Sequence, residues 1–306
     1  MPAPANAQAT LGDQVAVFID LENLALGAGE NLPGQADPIP YRALELLTRD
    51  YGNASIRRAY ADWSKPEFGR HQQNLAQNGI TLIQVTRFGA QQKNAVDILM
   101  AVDAMEVLIT HPDVGTFVLV AGDGDYSPLV QRLREFGKWV VGVGTEASAS
   151  SRLVAVCSEY KYWGTIVAAV NPSVRAEVDA KFDIADVERL VVAAMDEAPD
   201  DDTATGSWLK SRMLSLDPSF DEHNYGARSF RVLLSRLPDV VQVKKSRSTP
   251  DMLVTLVKGA ADGKAADGKA PDGKAADGKA PDAKAADGKA APARRRRTTP
   301  KQAVTE

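Results

Sequence analysis

Across 306 residues the chain has one cysteine, Cys157, and three histidines, His71, His111 and His223. A lone cysteine excludes an internal disulfide framework and any Cys-cluster zinc site. The histidines are never paired at short spacing, which argues against a His-ligated metal. Any metal must therefore be held by oxygen. No run approaches the roughly 18 to 20 unbroken apolar residues of a membrane span. The opening MPAPANAQAT has neither a basic n-region nor an apolar h-region, so secretion is not expected and the compartment reads as cytoplasmic. A hydrophobic share of 44% with 25% charged residues is ordinary for a globular chain that can bury a core.

The net charge of −4 conceals an uneven distribution. Residues 11–170 hold 13 Lys and Arg against 18 Asp and Glu, and residues 171–258 hold 12 against 15. Residues 259–306 reverse the sign, with 11 against 7. An acidic body with a basic end suits a protein that chelates cations in one place and touches polyanions in another.

The last segment is the simplest to interpret. From Ala261 to Ala290 a five-residue unit of the form ADGKA recurs six times. Each unit is neutral and lacks a large apolar group, so it cannot offset an ordering entropy of roughly 1–2 kcal/mol per residue. Residues 259–306 are expected to be disordered, as are residues 1–12. Arg294–Arg297 could contact phosphates, or the segment could simply be a solubilising tail.

Residues 13–165 alternate strands and helices. Val15–Ile19, Ile80–Val85, Phe117–Val120 and Trp139–Val143 are apolar runs of the kind expected in strands buried on both faces, with Ile56–Tyr60 a more polar candidate. Helical patterns lie over Tyr41–Tyr51, Glu67–Asn78, Ala95–Thr110 and Pro128–Phe136, with Gly79 and Gly137 placed to close two of them. This alternation predicts an α/β fold, a mostly parallel sheet sandwiched by helices. Asn171–Lys181 reads as linker, within a boundary segment 166–181. Residues 182–258 form a small α+β winged-helix domain: helices over Ile184–Glu197, Ser207–Ser215 and Tyr225–Leu237, then strands Val240–Lys244 and Met252–Val257.

Open α/β sheets place function at the carboxyl ends of their strands. Asp20 follows the first apolar run, with Asn23 three residues on. Asp123 and Asp125 follow Phe117–Val120, and Asp97 opens the helix KNAVDILMAVDAM. Converging acids repel, at about 4 kcal/mol per pair at 4 Å and an effective dielectric of 20, unless a cation neutralises them. All-oxygen ligands favour Mg²⁺ or Mn²⁺ and point to metal-assisted phosphodiester hydrolysis. The competing readings are plainer: Asp125 or Asp97 as a helix-start acid, Asn23 as a turn residue, Asp103 as structural.

VAVFIDLEN, KNAVDILMAVDAM and FVLVAGDGDYSPLVQRLREFGKWVVGVG together resemble the NYN domain of the LabA-like branch of the PIN-like nuclease superfamily, over residues 13–165. The resemblance implies a PIN-like, Rossmannoid fold. It also implies a Mg²⁺ (or Mn²⁺) site for RNA cleavage built from Asp20, Asp97, Asp123 and Asp125, with Asn23 and Lys93 near the phosphate. Ala121 stands where many relatives carry Ser, and Gly27–Pro40 is an insertion long enough to form a lid.

The stretch SWLKSRMLSLDPSFDEHNYGARSFRVLLSRLPDVVQV is similar to an OST-HTH/LOTUS domain. Related domains bind RNA or a DEAD-box helicase, which assigns Lys210, Arg212, Arg228, Arg231, Lys244, Lys245 and Arg247 to a candidate contact face.

The reading is a metal-dependent endoribonuclease acting on RNA, most naturally single-stranded, by direct hydrolysis, with homodimerisation left open. One alternative is a non-catalytic or weakly catalytic RNA-binding adaptor. Another is a haloacid-dehalogenase-type phosphohydrolase, but Glu22 stands where that class needs a second Asp.

Overall fold

Val15 to Ile19 are 0–1% exposed, which a strand achieves only when both its faces are covered. In the computed structural model, which describes residues 14–28, 40–86, 94–179, 181–199, 202–245 and 251–257, this segment is the central strand β1 (Gln14–Asp20). It pairs in parallel with β2 (Asn53–Ala61) and β4 (Val114–Val120). β3 (Thr81–Gln84), β5 (Trp139–Gly144) and β6 (Glu159–Tyr162) complete a six-stranded parallel sheet of order β3-β2-β1-β4-β5-β6. The order reverses between β1 and β4, and the crevice beyond the carboxyl ends of those two strands is where such sheets take ligands.

Successive side chains of a strand point to opposite faces, and the two cores follow that parity. Val15, Val17 and Ile19 enter one core, with Val118 and Val120 of β4. It is covered by α1 (Leu21–Ala28), α2 (Tyr41–Arg49), the short α3 (Pro66–Gly69) and α4 (Gln72–Gln77), α8 (Trp163–Val170) and α9 (Arg175–Asp179). Ala16 and Phe18 enter the other core, with Phe117 and Leu119, under α5 (Ala95–Thr110), α6 (Ser127–Glu135) and α7 (Ser151–Val156). Phe18 and Phe117 stack across neighbouring strands with an interplanar angle of 3°.

All five strands expected within residues 13–165 form. Gly79 (φ 70°) and Gly137 (φ 73°) take the left-handed conformation just beyond α4 and α6. The pattern over Glu67–Asn78 is two short helices, interrupted at Arg70–His71. The stretch read as linker differs more. Residues 163–179 are largely helical, and Val174 and Val178 are 1% and 2% exposed in the first core, so this segment is packed structure.

The second domain begins at α10 (Ile184–Met195), whose N-cap Asp183 accepts from the Ala185 N–H at 3.0 Å. β7 (Thr203–Thr205), α11 (Gly206–Leu216), a 3₁₀ turn at Glu222–Tyr225 and α12 (Phe230–Leu234) follow, then β8 (Val241–Lys245) and β9 (Met252–Leu256). The expected helix Tyr225–Leu237 is shortened because Gly226, at φ 68°, ends the 3₁₀ turn in the left-handed region. The antiparallel sheet has three strands, β7-β9-β8, around one further core.

The winged helix is fastened to the edge strand of the large sheet. The Tyr160 N–H donates to the Pro218 carbonyl at 2.7 Å. Lys161 Nζ lies 2.8 Å from Asp221 and 3.1 Å from Glu159, and Glu159 also accepts from the Tyr51 hydroxyl at 2.8 Å. Asp221 and Glu159 hold the buried Lys161 ammonium well above its usual range, and Lys161 and His223 hold the Asp221 carboxyl well below its own. Tyr160, Tyr162, Phe182, Tyr225, Phe220 and Phe230 form a continuous series of ring contacts across the junction.

Candidate functional site

Asp20 keeps the parity of Ala16 and Phe18, so the last residue of β1 turns toward the face covered by α5 and α6. It is 5% exposed. Its Oδ1 accepts from the Asn23 N–H at 2.9 Å and its Oδ2 from the Tyr126 hydroxyl at 3.0 Å. Burial pushes the Asp20 carboxyl up to about 6, and the neighbouring Asp97 and Glu22 add to the rise, while the two hydrogen bonds oppose it.

Asp97 lies half-buried in the first turn of α5. Its carboxyl is within hydrogen-bonding reach of the same Tyr126 hydroxyl, and burial beside two acids drives that hydroxyl far above the usual tyrosine range. Two carboxylates thus stand beside one buried hydroxyl, and the charge of Asp97 adds to the rise of Asp20.

Asp123 and Asp125 occupy the turn that carries Tyr126 into this position. Asp123 Oδ1 accepts from the Asp125 N–H at 2.9 Å and caps the 3₁₀ turn Gly124–Tyr126. Both side chains are exposed. Of the four acids singled out in the sequence, two are therefore gathered around one hydroxyl, while two lie on the exposed side of the turn. Among the described residues, no three of His, Cys, Asp or Glu form a ready-made metal cage.

The glycines of this turn serve close approach. A Cβ on Gly122 would stand 2.4 Å from Ser148 Oγ and 2.6 Å from the Ser148 carbonyl oxygen, and one on Gly124 would stand 2.7 Å from Ser150 Oγ. The Ser150 N–H donates to the Gly122 carbonyl at 3.0 Å, locking the two loops together.

Asn23 is a cross-link. Its Oδ1 accepts from the Gly122 N–H at 3.0 Å, tying the start of α1 to the end of β4. Glu22 is buried and accepts from the Asp62 N–H at 3.0 Å. Asp103 accepts from the Tyr60 hydroxyl at 2.7 Å and pairs with Arg58 at 3.2 Å, a structural role. Lys93, most of the Gly27–Pro40 insertion, Arg247 and the repeat tail with Arg294–Arg297 lie outside the described residues. Sequence reasoning passed over Tyr126, although it stands inside the GDGDY motif; its only signal was a polar aromatic directly after two acids.

In the second domain the basic candidates divide. Lys210 pairs with Glu222 at 2.9 Å and lies over the Phe230 ring, and Arg212 pairs with Glu197. Arg228, Arg231, Lys244 and Lys245 have exposed side chains.

Two families of known proteins match successive parts of the chain. The NYN domain family matches residues 14–164, and the OST-HTH/LOTUS domain family matches residues 183–253. An uncharacterized protein of Methanocaldococcus jannaschii is 40% identical over 58 residues, a match spanning 19% of this chain and 24% of that relative's length. A crystal structure of a protein of unknown function from Vibrio parahaemolyticus aligns with a TM-score of 0.42 at 23% identity, over 50% of this chain and 94% of the other.

Proposed function

We propose that this protein, which carries an NYN domain of the PIN-like nuclease superfamily followed by an OST-HTH/LOTUS domain, hydrolyses RNA phosphodiester bonds with a divalent cation. The observation that supports this reading best is the Asp20–Tyr126–Asp97 cluster at the carboxyl end of β1, beside the point where strand order reverses.

The donors fit a hard cation. They offer only oxygen, and burial has raised Asp20 to about 6, a penalty that a bound cation removes. Asp20 and Asp97 would hold it, with Asp123 and Asp125 as the further acids assigned to it from the neighbouring turn. When bound, Mg²⁺ or Mn²⁺ supplies charge neutralisation at the scissile phosphate and makes water more acidic. Tyr126 and the Asn23 N–H orient the two oxygens of Asp20, and the Asn23 side chain holds the Gly122 backbone in register. Lys93, Arg228, Arg231, Lys244 and Lys245 are assigned to phosphate contact. Lys210 and Arg212 remain candidates only if RNA displaces their carboxylate partners.

The adaptor reading is favoured by one feature, the exposure of Asp123 and Asp125 away from a ready-made cage. A labelled single-stranded RNA, incubated with the full chain in Mg²⁺, Mn²⁺ or EDTA, separates the two. Cation-dependent products that disappear in Asp20→Asn and Asp97→Asn are expected. RNA retained without cleavage would establish the adaptor instead.

A further inference from the structure

Helix α5, AVDILMAVDAMEVLIT, is apolar nearly all round, a composition that suits a helix covered on every side. One side is bare. Ile98, Val102 and Ile109 are 65%, 59% and 75% exposed, and Met105 between them is half-buried. The four stand at spacings of four, three and four residues, a helix-pairing seam about 16 Å long.

We propose that a second copy of this chain covers this seam, the two α5 helices lying antiparallel about a two-fold axis between Val102 and Met105. The 4-3-4 spacing is the same in both directions, so an antiparallel pair sets Ile98 against Ile109 of the second copy and Val102 against its Met105. A two-fold interface demands this self-complementarity. Charge selects the same arrangement. The charged residue nearest the seam is Glu106, about 80° round the helix from Ile98. Antiparallel pairing sets it beside Ala101 of the second copy, whereas parallel pairing sets the two Glu106 side chains together. Within its own chain Glu106 lies 3.5 Å from Arg58.

The chain's own remaining segments are poorly suited to cover the seam. Outside the described residues its large apolar side chains are Met1, Leu11, Leu32, Ile39, Phe88 and Val304, and no two of these stand three or four apart. The patch amounts to a few hundred Å², the size that marks an interaction site and roughly half of the ~800 Å² per partner in a standard interface. A dimer with a dissociation constant on the order of micromolar is expected. Asp97 lies about 100° from Ile98, outside the seam, so both acidic clusters stay open in the dimer. The proposal does not depend on the nuclease reading.

Sedimentation velocity of the full chain from about 1 to 200 μM tests it, a range chosen around that affinity. A concentration-dependent dimer is expected, and Val102→Glu should weaken it by about thirtyfold or more. The position is exposed, so the variant should keep the wild-type far-UV spectrum and unfolding midpoint. Orientation is read from Ile98→Cys and Ile109→Cys: a disulfide is expected when the two variants are mixed and from neither alone. The native Cys157 is 2% exposed and does not compete. A chain that stays monomeric throughout overturns the proposal, whether its seam is then found shielded by the chain itself or open. So does a dimer unmoved by Val102→Glu, or a disulfide formed by Ile98→Cys alone.

Discussion

The Tyr126 hydroxyl donates to Asp20 Oδ2 across 3.0 Å, joining the residue that ends β1 to the turn that follows β4. Removing it with Tyr126→Phe takes away a hydrogen bond to a buried acid, worth about 1.5–3 kcal/mol when the acceptor is charged. RNA cleavage at limiting Mg²⁺ should fall by roughly tenfold to a hundredfold if that bond orients Asp20. Single-turnover cleavage across a Mg²⁺ titration checks it; a rate unchanged at every cation level would show that the bond does not position Asp20.

Asp20 also predicts a pH dependence. Its folded carboxyl is raised to about 6 from an ordinary 3.8, so it contributes stability in its protonated form. That contribution is fully present below 3.8 and is lost as pH rises through about 6. The change amounts to roughly 3 kcal/mol at most, since each unit is worth about 1.4 kcal/mol. Urea unfolding in EDTA from pH 4 to 7 should show this decline, and Asp20→Asn should flatten it.

Gly122→Ala tests the packing of the acidic turn. Its Cβ would meet the Ser148 carbonyl oxygen at 2.6 Å, a backbone atom that cannot swing away. A loss of about 1–3 kcal/mol is expected by thermal or urea unfolding. Gly124→Ala meets only the Ser150 side chain and should lose less. Equal effects from the two would contradict this account.

The domain junction rests on Lys161. Lys161→Met removes the ammonium shared by Asp221 and Glu159, leaving Asp221 with His223 at 2.7 Å, and breaking such a buried pair costs up to about 3–5 kcal/mol. The expected result is a second, earlier unfolding transition for the winged helix. Adding Asp221→Asn should recover part of the loss, and a double-mutant cycle measures the coupling.

The sequence by itself determined the central sheet and the position of its acids, because a parallel strand covered on both faces must be an apolar run. Val15–Ile19, Phe117–Val120 and Trp139–Val143 carry that signature; Asp20 follows the first of these runs directly, and Asp123 and Asp125 stand three and five residues beyond the second. β6, with the sequence EYKY, escaped it because this polar edge strand is covered by the winged helix through Lys161 and Tyr160, partners distant in sequence. The same limit applied to the linker, whose Val174 and Val178 show no purpose until the core they fill is known. Tertiary structure alone decided which acids meet. Asp123 uses its carboxylate to cap a turn, and that turn aims Tyr126 rather than Asp125 at Asp20. Burial patterns are written in neighbouring residues, but the direction in which a turn points a side chain depends on loops packed against it, here Ser148 and Ser150 against Gly122 and Gly124.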